Sequence, residues 1–221
     1  VHQVHMPVHN MYGGKAVQTE SVFKEIGLPL NAKVILSFGN IREYKGIDRL
    51  IAALPAIIKK VPAAHLLIVG QPWVKWDKYD TLIVNLNLEN RVTVVLEYVP
   101  MSEVKKYFSA STLVVLPYKK FDAQSGVGNI ALAFGLPLVV SRVGGLPDLV
   151  KDECAIVYPD DTESLAQCIS RILLDGALYK KLCDDAEILR GQYSWLSAIE
   201  STLLVYRSVM NEDGQKKSFR E

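Results

Sequence analysis

The chain has 221 residues, of which 49% are apolar and 22% are charged, the proportions of an ordinary globular protein. Its 25 Lys and Arg against 24 Asp and Glu leave a formal charge of +1, so no overall field attracts nucleic acid or an anionic membrane. Any basic site therefore has to be local. The longest apolar stretch, residues 130–140, is interrupted by Gly135 and Pro137 and is shorter than the roughly 20 residues that cross a bilayer.

The first residues of the chain are rich in histidine. The segment VHQVHMPVHNMYGG is typical of a linker, and we expect the chain to be part of a longer protein. His2, His5 and His9 have no partner cysteines or carboxylate cluster nearby, which favours solvated linker histidines over metal ligands. The three cysteines lack the spacing of a zinc site, and an odd number does not suit a closed disulfide framework, so a reducing compartment is favoured.

From residue 33 onward, short β-branched apolar runs alternate with longer amphipathic stretches. Runs such as VILSF and TLVVL are apolar on both faces, as a parallel sheet between two layers of helices requires. Six strands are predicted, at residues 34–38, 65–69, 92–96, 112–116, 138–141 and 155–157. The helices between them are predicted at residues 47–60, 75–86, 102–109 and 126–134, the first of them bent at Pro55.

After residue 157 the pattern contains helices only, at residues 162–174, 177–189 and 195–210, with breaks at Gly176 and Gly191. The polar residues 211–221 are expected to fray. The whole pattern predicts an α/β fold, a doubly wound and mainly parallel six-stranded sheet with helices on both faces, followed by C-terminal helices. Such sheets bind ligands beyond the carboxyl ends of their strands, so the strand-to-helix turns are the candidate sites.

The turn after the first strand reads FGNIREYKG and carries two cations. Arg42 and Lys45 lie near a helix N-terminus, where positive charge is unfavourable unless an anion joins it. Two cations, free amides and Gly39 at the strand end suit a diphosphate. The alternative is a solvated basic loop that Glu43 partly neutralises.

The turn after the fourth strand has a second anion-binding pattern. Ser125, Gly126 and Val127 stand at a predicted helix start, where the missing Cβ of Gly126 lets an anion approach backbone amides. Asp122 opposes a phosphate but accepts hydrogen bonds from sugar hydroxyls, which indicates a ligand that is part phosphate and part carbohydrate. Alternatively, Gly126 and Gly128 only allow close packing, and Asp122 is a loop or cap residue.

Other patterns in the sequence are less specific. Residues 126–131 match the dinucleotide pattern G-x-G-x-x-A, but residues 118–125 separate it from the preceding strand, so a nicotinamide oxidoreductase is the least favoured reading. Trp73 and Trp76 can stack on a base or sugar, although packing is favoured. His65, at the start of the second strand, is expected at an edge.

Four segments together resemble a known family: FGNIREYKGIDRLIAALP, HLLIVG, RVTVVLEYVPMSEVKKYFSASTLVVLPY and SGVGNIALAFGLPLVVSRVGGLPDLV. They are similar to the retaining nucleotide-sugar glycosyltransferases of the GT-B fold, family 4, the glycosyl transferases group 1. The resemblance implies that residues 31–193 are the C-terminal, Rossmann-like donor-binding domain. It implies that residues 1–30 are the interdomain connection and first helix, that residues 194–221 are a C-terminal helix and tail, and that the N-terminal acceptor domain is missing.

The resemblance also assigns roles to particular residues. Arg42 and Lys45, beside Gly39, would neutralise the donor pyrophosphate, and Ser125, Gly126 and Val127 would supply amides to the same phosphates. The family often has two glutamates separated by seven residues, and counting back from Gly135 places Asp122 and Ile130 there. Asp122 would then lie near the transferred sugar, and Asn129 would replace the second glutamate as a polar contact. Val99, in the segment Glu97-Tyr98-Val99-Pro100, would read the base through its backbone.

The implied function is transfer of a sugar from a nucleotide diphosphate, UDP or GDP among others, to an acceptor hydroxyl on a sugar, lipid or other molecule, with retention. No metal or further cofactor is required, and no nucleic acid partner is expected. The fragment alone should bind the donor but transfer sugar poorly. The full-length protein is expected in the cytoplasm, with peripheral attachment to the inner membrane as an option. The alternative is a non-catalytic nucleotide-binding or scaffold domain, for which Ile130 in place of a glutamate is the indication.

Overall fold

The computed structural model describes residues 4–8 and 20–218 of the chain. Within these residues the chain forms six β-strands and eight α-helices. The strands are β1 (Lys33–Phe38), β2 (Ala64–Val69), β3 (Val92–Val95), β4 (Leu113–Leu116), β5 (Leu138–Ser141) and β6 (Ile156–Val157). The helices are α1 (Glu20–Ile26), α2 (Ile47–Lys60), α3 (Asp77–Asn85), α4 (Met101–Ala110), α5 (Gly126–Ala133), α6 (Thr162–Leu174), α7 (Gly176–Gln192) and α8 (Trp195–Ser218).

The six strands form one sheet in the order β3-β2-β1-β4-β5-β6, and every neighbouring pair is parallel. The chain winds outward from β1 to β3 on one side and from β4 to β6 on the other. The direction of winding therefore reverses between β1 and β4. In doubly wound sheets this reversal opens a crevice at the carboxyl ends of the two central strands, and ligands bind there.

Alternate residues of each strand supply two separate cores. On β1, Ile35 belongs to the core shared with α2, α3 and α6, whereas Val34 and Leu36 belong to the core shared with α1, α4 and α5. Side chains alternate between the faces of a strand, so apolar residues at consecutive positions cover both faces with helices. The predicted doubly wound fold with helices on both faces is confirmed.

The predicted element boundaries hold to within two or three residues except near the C-terminus. Gly191 was predicted to break a helix, but it lies inside α7, which continues to Gln192. A single exposed glycine in the last turn costs only about 1 kcal/mol relative to alanine, too little to end a packed helix. Helix α8 extends from Trp195 to Ser218, so its bounds include most of the residues from 211 onward that are expected to fray. Helix α2 runs through Pro55 without interruption.

No helix in the described part of the chain combines the length and hydropathy that a membrane span requires.

His65 lies on a strand that has neighbours on both sides, and not at an edge of the sheet as predicted. Strand β2 pairs with β1 on one side and β3 on the other, and His65 is buried with its Nε2 atom 2.8 Å from the Thr93 hydroxyl of β3. Burial, with a smaller effect of Arg91, lowers the pKa of His65 to about 4. The ring is therefore a neutral interior group at physiological pH. Strand order depends on pairings between distant segments, which the local pattern around His65 does not contain.

Candidate functional site

A cavity of about 380 Å³ opens at the carboxyl ends of the central strands. The turn after β1 supplies about half of its wall, the turns after β2 and β3 supply most of the rest, and the start of α5 closes it. The lining residues are Phe38, Gly39, Asn40, Arg42, Tyr44, Lys45, Gly70, Gln71, Tyr98, Val99 and Val127. This is the position that the reversal of winding between β1 and β4 predicts for a ligand.

The turn after β1 is held by an extension of the pairing between β1 and β2. Ile41 and Pro72 form a parallel bridge beyond the ends of the two strands, and Ile41 donates a backbone hydrogen bond of 2.8 Å to Gln71. A short 3-10 helix, Glu43–Lys45, follows, and it ends at Gly46 with φ of +66°. The turn thereby directs Arg42 and Lys45 into the cavity from a backbone that is tied to its neighbour.

Lys45 is a nearly buried cation, only 8% exposed. Its Nζ atom donates a hydrogen bond of 3.2 Å to the Phe38 carbonyl and lies 5.7 Å from the centre of the Tyr118 ring. Burial, with a smaller effect of Arg42, lowers the pKa of Lys45 to about 8. Among the side chains described, those of residues 4–8 and 20–210, no carboxylate forms an ion pair with Lys45 or with Arg42. The site thus holds two cations whose counter-charge the described residues do not supply.

Glu43, the one carboxylate of this turn, pairs with a lysine outside the turn and not with Arg42 or Lys45. Its carboxylate lies 2.9 Å from Lys78 Nζ of α3, and that contact lowers the pKa of Glu43. The guanidinium of Arg42 instead lies over the ring of Trp73, with its central carbon 4.1 Å from the ring centre.

The start of α5 has two backbone amides without an acceptor among the described residues. The Ser125 hydroxyl, at the N-cap, accepts a hydrogen bond of 3.2 Å from the Gly128 amide, and the Ser125 carbonyl accepts from Asn129. The amides of Gly126 and Val127 have no acceptor among the described residues. Val127 also lines the cavity, so the helix turn that carries these unpaired amides begins at the cavity wall.

Gly39 brings the two turns into contact. Its φ is +88°, and a Cβ on it would lie 3.0 Å from Lys45 Nζ and 3.3 Å from Val127 Cγ2. The ammonium after β1 and the first turn of α5 therefore converge on one point.

The two glycines of α5 differ in their surroundings. A Cβ on Gly126 would meet no protein atom within 4 Å, whereas one on Gly128 would lie 2.3 Å from Leu149 Cδ1. Close packing therefore requires a glycine at position 128. It does not require one at position 126, which faces open space.

Asp122 and Asn129 do not line the cavity. Asp122 is exposed, in the loop between β4 and α5, directly after Phe121, whose ring stacks on Tyr44 of the cavity wall with centres 6.0 Å apart. Asn129 is buried, and its Nδ2 atom donates a hydrogen bond of 3.3 Å to the Met6 carbonyl. Asn129 therefore faces the N-terminal segment of the chain.

This N-terminal segment is packed against the loop that precedes α5. The Met6 amide donates to Gln124 Oε1, and Gln124 Nε2 lies 2.8 Å from His5 Nδ1. The His5 ring stacks on Tyr193 with centres 4.5 Å apart. His5 is thus held by side-chain contacts and is not a solvated linker residue as predicted. The predictions for His2 and His9 lie outside the described residues.

Several wall residues were missed in the sequence. Tyr44 and Gln71 line the cavity but were not singled out, and the side chain of Tyr98, from the segment predicted to read the base, is 70% exposed and lines it beside Val99. Trp73 was expected to pack but is 60% exposed beneath Arg42, whereas Trp76 packs against the core as expected. Their positions in the sequence could have identified these residues. They follow the carboxyl ends of β1, β2 and β3, where a doubly wound sheet contacts its ligand.

Comparison with known proteins identifies the family. The family model of glycosyl transferases group 1 matches residues 32–175. The chain belongs to this family. An uncharacterized glycosyltransferase of Methanocaldococcus jannaschii is 32% identical over 197 residues, which cover 87% of this chain and 49% of that protein. The chain spans about half the length of the curated relatives that it matches.

Solved structures of GT-B glycosyltransferases share the fold. Sucrose-phosphate synthase of Thermosynechococcus elongatus has a TM-score of 0.76 and 26% identity, over 95% of this chain and 52% of that one. Anabaena HepE in complex with UDP and glucose has a TM-score of 0.74 and 19% identity, over 94% and 56%. The resemblance to the C-terminal half of a GT-B glycosyltransferase is confirmed.

Proposed function

We propose that the cavity binds the diphosphate of a nucleotide sugar, and that the protein to which the chain belongs transfers the sugar to an acceptor hydroxyl with retention. One observation carries the proposal. Arg42 and Lys45, two cations without counter-charge among the described residues, line one cavity at the carboxyl edge of the sheet. Val127 of the first turn of α5, where the amides of Gly126 and Val127 are unpaired, lines the same cavity. A diphosphate supplies the missing negative charge and the acceptors at once. The HepE structure with UDP supports the assignment of the nucleotide.

In this proposal the cations and amides act on the leaving group. Negative charge develops on the diphosphate as its bond to the sugar breaks, and positive groups already in place stabilise that charge without reorganisation. The acceptor hydroxyl attacks from the face that the diphosphate leaves, and its proton passes to the departing diphosphate. Asp122 accepts a hydrogen bond from a sugar hydroxyl, and Val99 and its neighbour Tyr98 contact the base. Metal ions have no part in this proposal.

The proposal extends to the organisation of the whole protein. Residues 31–193 form the donor-binding domain, residues 1–30 connect it to an N-terminal acceptor domain, and the C-terminal residues from 194 follow as a helix. The curated relatives are about twice as long as the matched region, which leaves room for such a domain. We place the whole protein in the cytoplasm. Its acceptor is a sugar, a lipid or another hydroxyl compound, and the kind of acceptor decides whether the protein contacts the inner membrane.

Two measurements test the proposal. Calorimetric titration of the 221-residue chain with UDP, GDP and ADP should detect binding of at least one of them and none of inorganic phosphate at the same concentration. The parent protein with its N-terminal domain should transfer sugar from the matching nucleotide sugar, and Asp122→Ala should lower that rate without abolishing nucleotide binding. If the chain binds a nucleotide diphosphate but the parent neither transfers nor hydrolyses any nucleotide sugar, the non-catalytic alternative holds. The half-burial of Ile130 against the core, where it offers no polar contact, is the feature that favours that alternative.

Nucleotide affinity should depend on pH through Lys45. Its pKa is about 8 in the free chain because the ammonium is buried, and a bound diphosphate favours the charged form and raises that pKa. Binding therefore takes up protons near pH 8, and affinity is greatest below about pH 7 and falls as the pH rises through 8. We expect UDP to bind about 3- to 10-fold more weakly at pH 9 than at pH 7. Lys45→Arg should flatten the dependence, since a guanidinium stays charged over this range.

Calorimetry in two buffers of different ionisation enthalpy would measure the proton uptake directly. The terminal phosphate of UDP is already ionised above pH 7, so its own titration does not produce the trend. A wild-type affinity that is constant from pH 7 to 9 would contradict the role assigned to Lys45.

A further inference from the structure

We propose that Trp73 is a positioning residue that holds the Arg42 guanidinium ready for the diphosphate. This inference rests on the proposed function of the cavity and adds a residue that the function did not require. Trp73 is a large apolar side chain left 60% exposed, and the flat face of its ring carries the Arg42 guanidinium at 4.1 Å. This distance is well inside the range of about 6 Å over which an aromatic face attracts a cation.

The backbone explains why the two side chains meet. The Trp73 amide donates a hydrogen bond of 2.9 Å to the carbonyl of Ile41, the residue before Arg42, and Ile41 is completely buried. The bridge between Ile41 and Pro72 joins the same two segments. Residues 42 and 73 thus start from adjacent, hydrogen-bonded backbones, and the contact between their side chains follows from this register.

The contact between Arg42 and the Trp73 ring suits an anion-binding site better than an ion pair between Arg42 and a carboxylate would. A carboxylate partner would hold Arg42 but would neutralise it and occupy the N–H donors that a phosphate needs. A ring beneath the guanidinium plane attracts the cation and leaves the donors at the edge of the plane available. The ring also opposes the repulsion between Arg42 and the nearby ammonium of Lys45, whose pKa Arg42 helps to lower.

A second arginine in this chain provides a contrast. Arg142 also lies near an exposed ring, that of Tyr158, with its central carbon 5.6 Å from the ring centre, but its guanidinium is paired with the Glu153 carboxylate. Tyr158 is 65% exposed, close to the value for Trp73. Tyr158→Ala is therefore a matched control: it removes an exposed ring beside an arginine that the cavity does not use.

The test is a double-mutant cycle in the 221-residue chain, with UDP as the probe. Trp73→Ala should weaken UDP binding about 3- to 10-fold, Trp73→Phe should stay within about 2-fold of the wild type, and Tyr158→Ala should have no effect. In an Arg42→Ala background, Trp73→Ala should change the affinity less than about 2-fold, because the group that it positions is gone. Binding of uridine, which lacks phosphate, should not respond to Trp73→Ala.

The ligand-free chain offers an independent readout. The ring current of Trp73 should shift the side-chain N–H resonances of Arg42 upfield, and Trp73→Ala should remove the shift. The inference is overturned if that shift is absent, if Trp73→Ala binds UDP like the wild type, or if the loss is as large in the Arg42→Ala background. Equal loss of uridine binding would show instead that Trp73 contacts the nucleoside. Failure of the proposed function is recognised separately, since wild-type chain would then not bind UDP at all.

Discussion

Replacing Arg42 and Lys45 together by alanine should weaken UDP binding by at least about 100-fold. Each cation is expected to make charge-assisted hydrogen bonds to the diphosphate, contacts that contribute about 1.5–3 kcal/mol each, and 1.4 kcal/mol corresponds to a factor of ten. The folded state should survive the change. Lys45 is desolvated without a carboxylate partner among the described residues, so its removal takes away an unfavourable burial. Calorimetry measures the affinity, and thermal unfolding of the same sample checks the fold.

Lys59→Ala with Lys60→Ala is the matched control for this experiment. Both lysines are exposed at the end of α2, whereas the residues that precede the start of that helix line the cavity. The control also removes two positive charges. These lie about 20 Å from the cavity end of α2, a 14-residue helix, and this distance exceeds the screening length of roughly 8 Å at physiological salt. It should bind UDP within about 2-fold of the wild type. Equal losses in the two double variants would mean that net charge, and not this cavity, attracts the nucleotide.

Gly46→Ala should destabilise the chain by about 2–4 kcal/mol and weaken nucleotide binding in the molecules that remain folded. Gly46 has φ of +66°, a left-handed conformation that costs other residues about 1–2 kcal/mol. A Cβ there would lie 2.0 Å from the Pro117 carbonyl oxygen, which cannot move freely because it follows β4 and accepts a hydrogen bond from Arg49. The backbone has to shift to relieve this contact, and Lys45 is the adjacent residue. Urea unfolding measures the free energy of unfolding, and a titration under folding conditions measures the affinity for UDP.

Gly191→Ala separates this effect from the general effect of adding a methyl group. Gly191 lies within α7, has no positive φ, and a Cβ on it would meet no atom within 4 Å. Alanine should therefore stabilise the chain there by about 0.5–1 kcal/mol. A Gly46→Ala variant as stable as the wild type would show that the turn after β1 adapts, and that it does not hold Lys45 in a fixed place.

Much of the candidate site was predictable because its parts are local. Arg42 and Lys45 sit a few residues after an apolar strand and just before an amphipathic helix, and that sequence alone places them at the carboxyl edge of the sheet. Ser125 followed by Gly126 and Val127 similarly marks a helix start with unpaired amides, because serine is a strong N-cap residue. That these two turns share a cavity follows once the order of the sheet is known, since β1 and β4 are neighbours in it.

The contacts that lie outside these local patterns were not predictable. The ring of Trp73 meets Arg42 because the pairing of β1 with β2 resumes at Ile41 and Pro72, a register that no composition or periodicity encodes. Asn129 was expected to face the nucleotide, yet it bonds to Met6, a residue 123 positions away in the chain. Contacts of this kind depend on which distant segments come together. A side chain of a given type packs in the core or faces a ligand according to the segment that lies beside it.

The residue pattern thus decided the secondary structure, the layered α/β class and the positive charge of the turn after β1, since propensity, periodicity and charge act over a few residues. Folding in three dimensions decided the rest: the order of the strands, the burial of Lys45 and His65, the pairing of Glu43 with Lys78 and the placement of Arg42 on Trp73. Burial and pairing depend on distances between segments far apart in the chain. The pKa of Lys45, and with it the expected response of nucleotide binding to pH, therefore emerges only when the sheet is assembled.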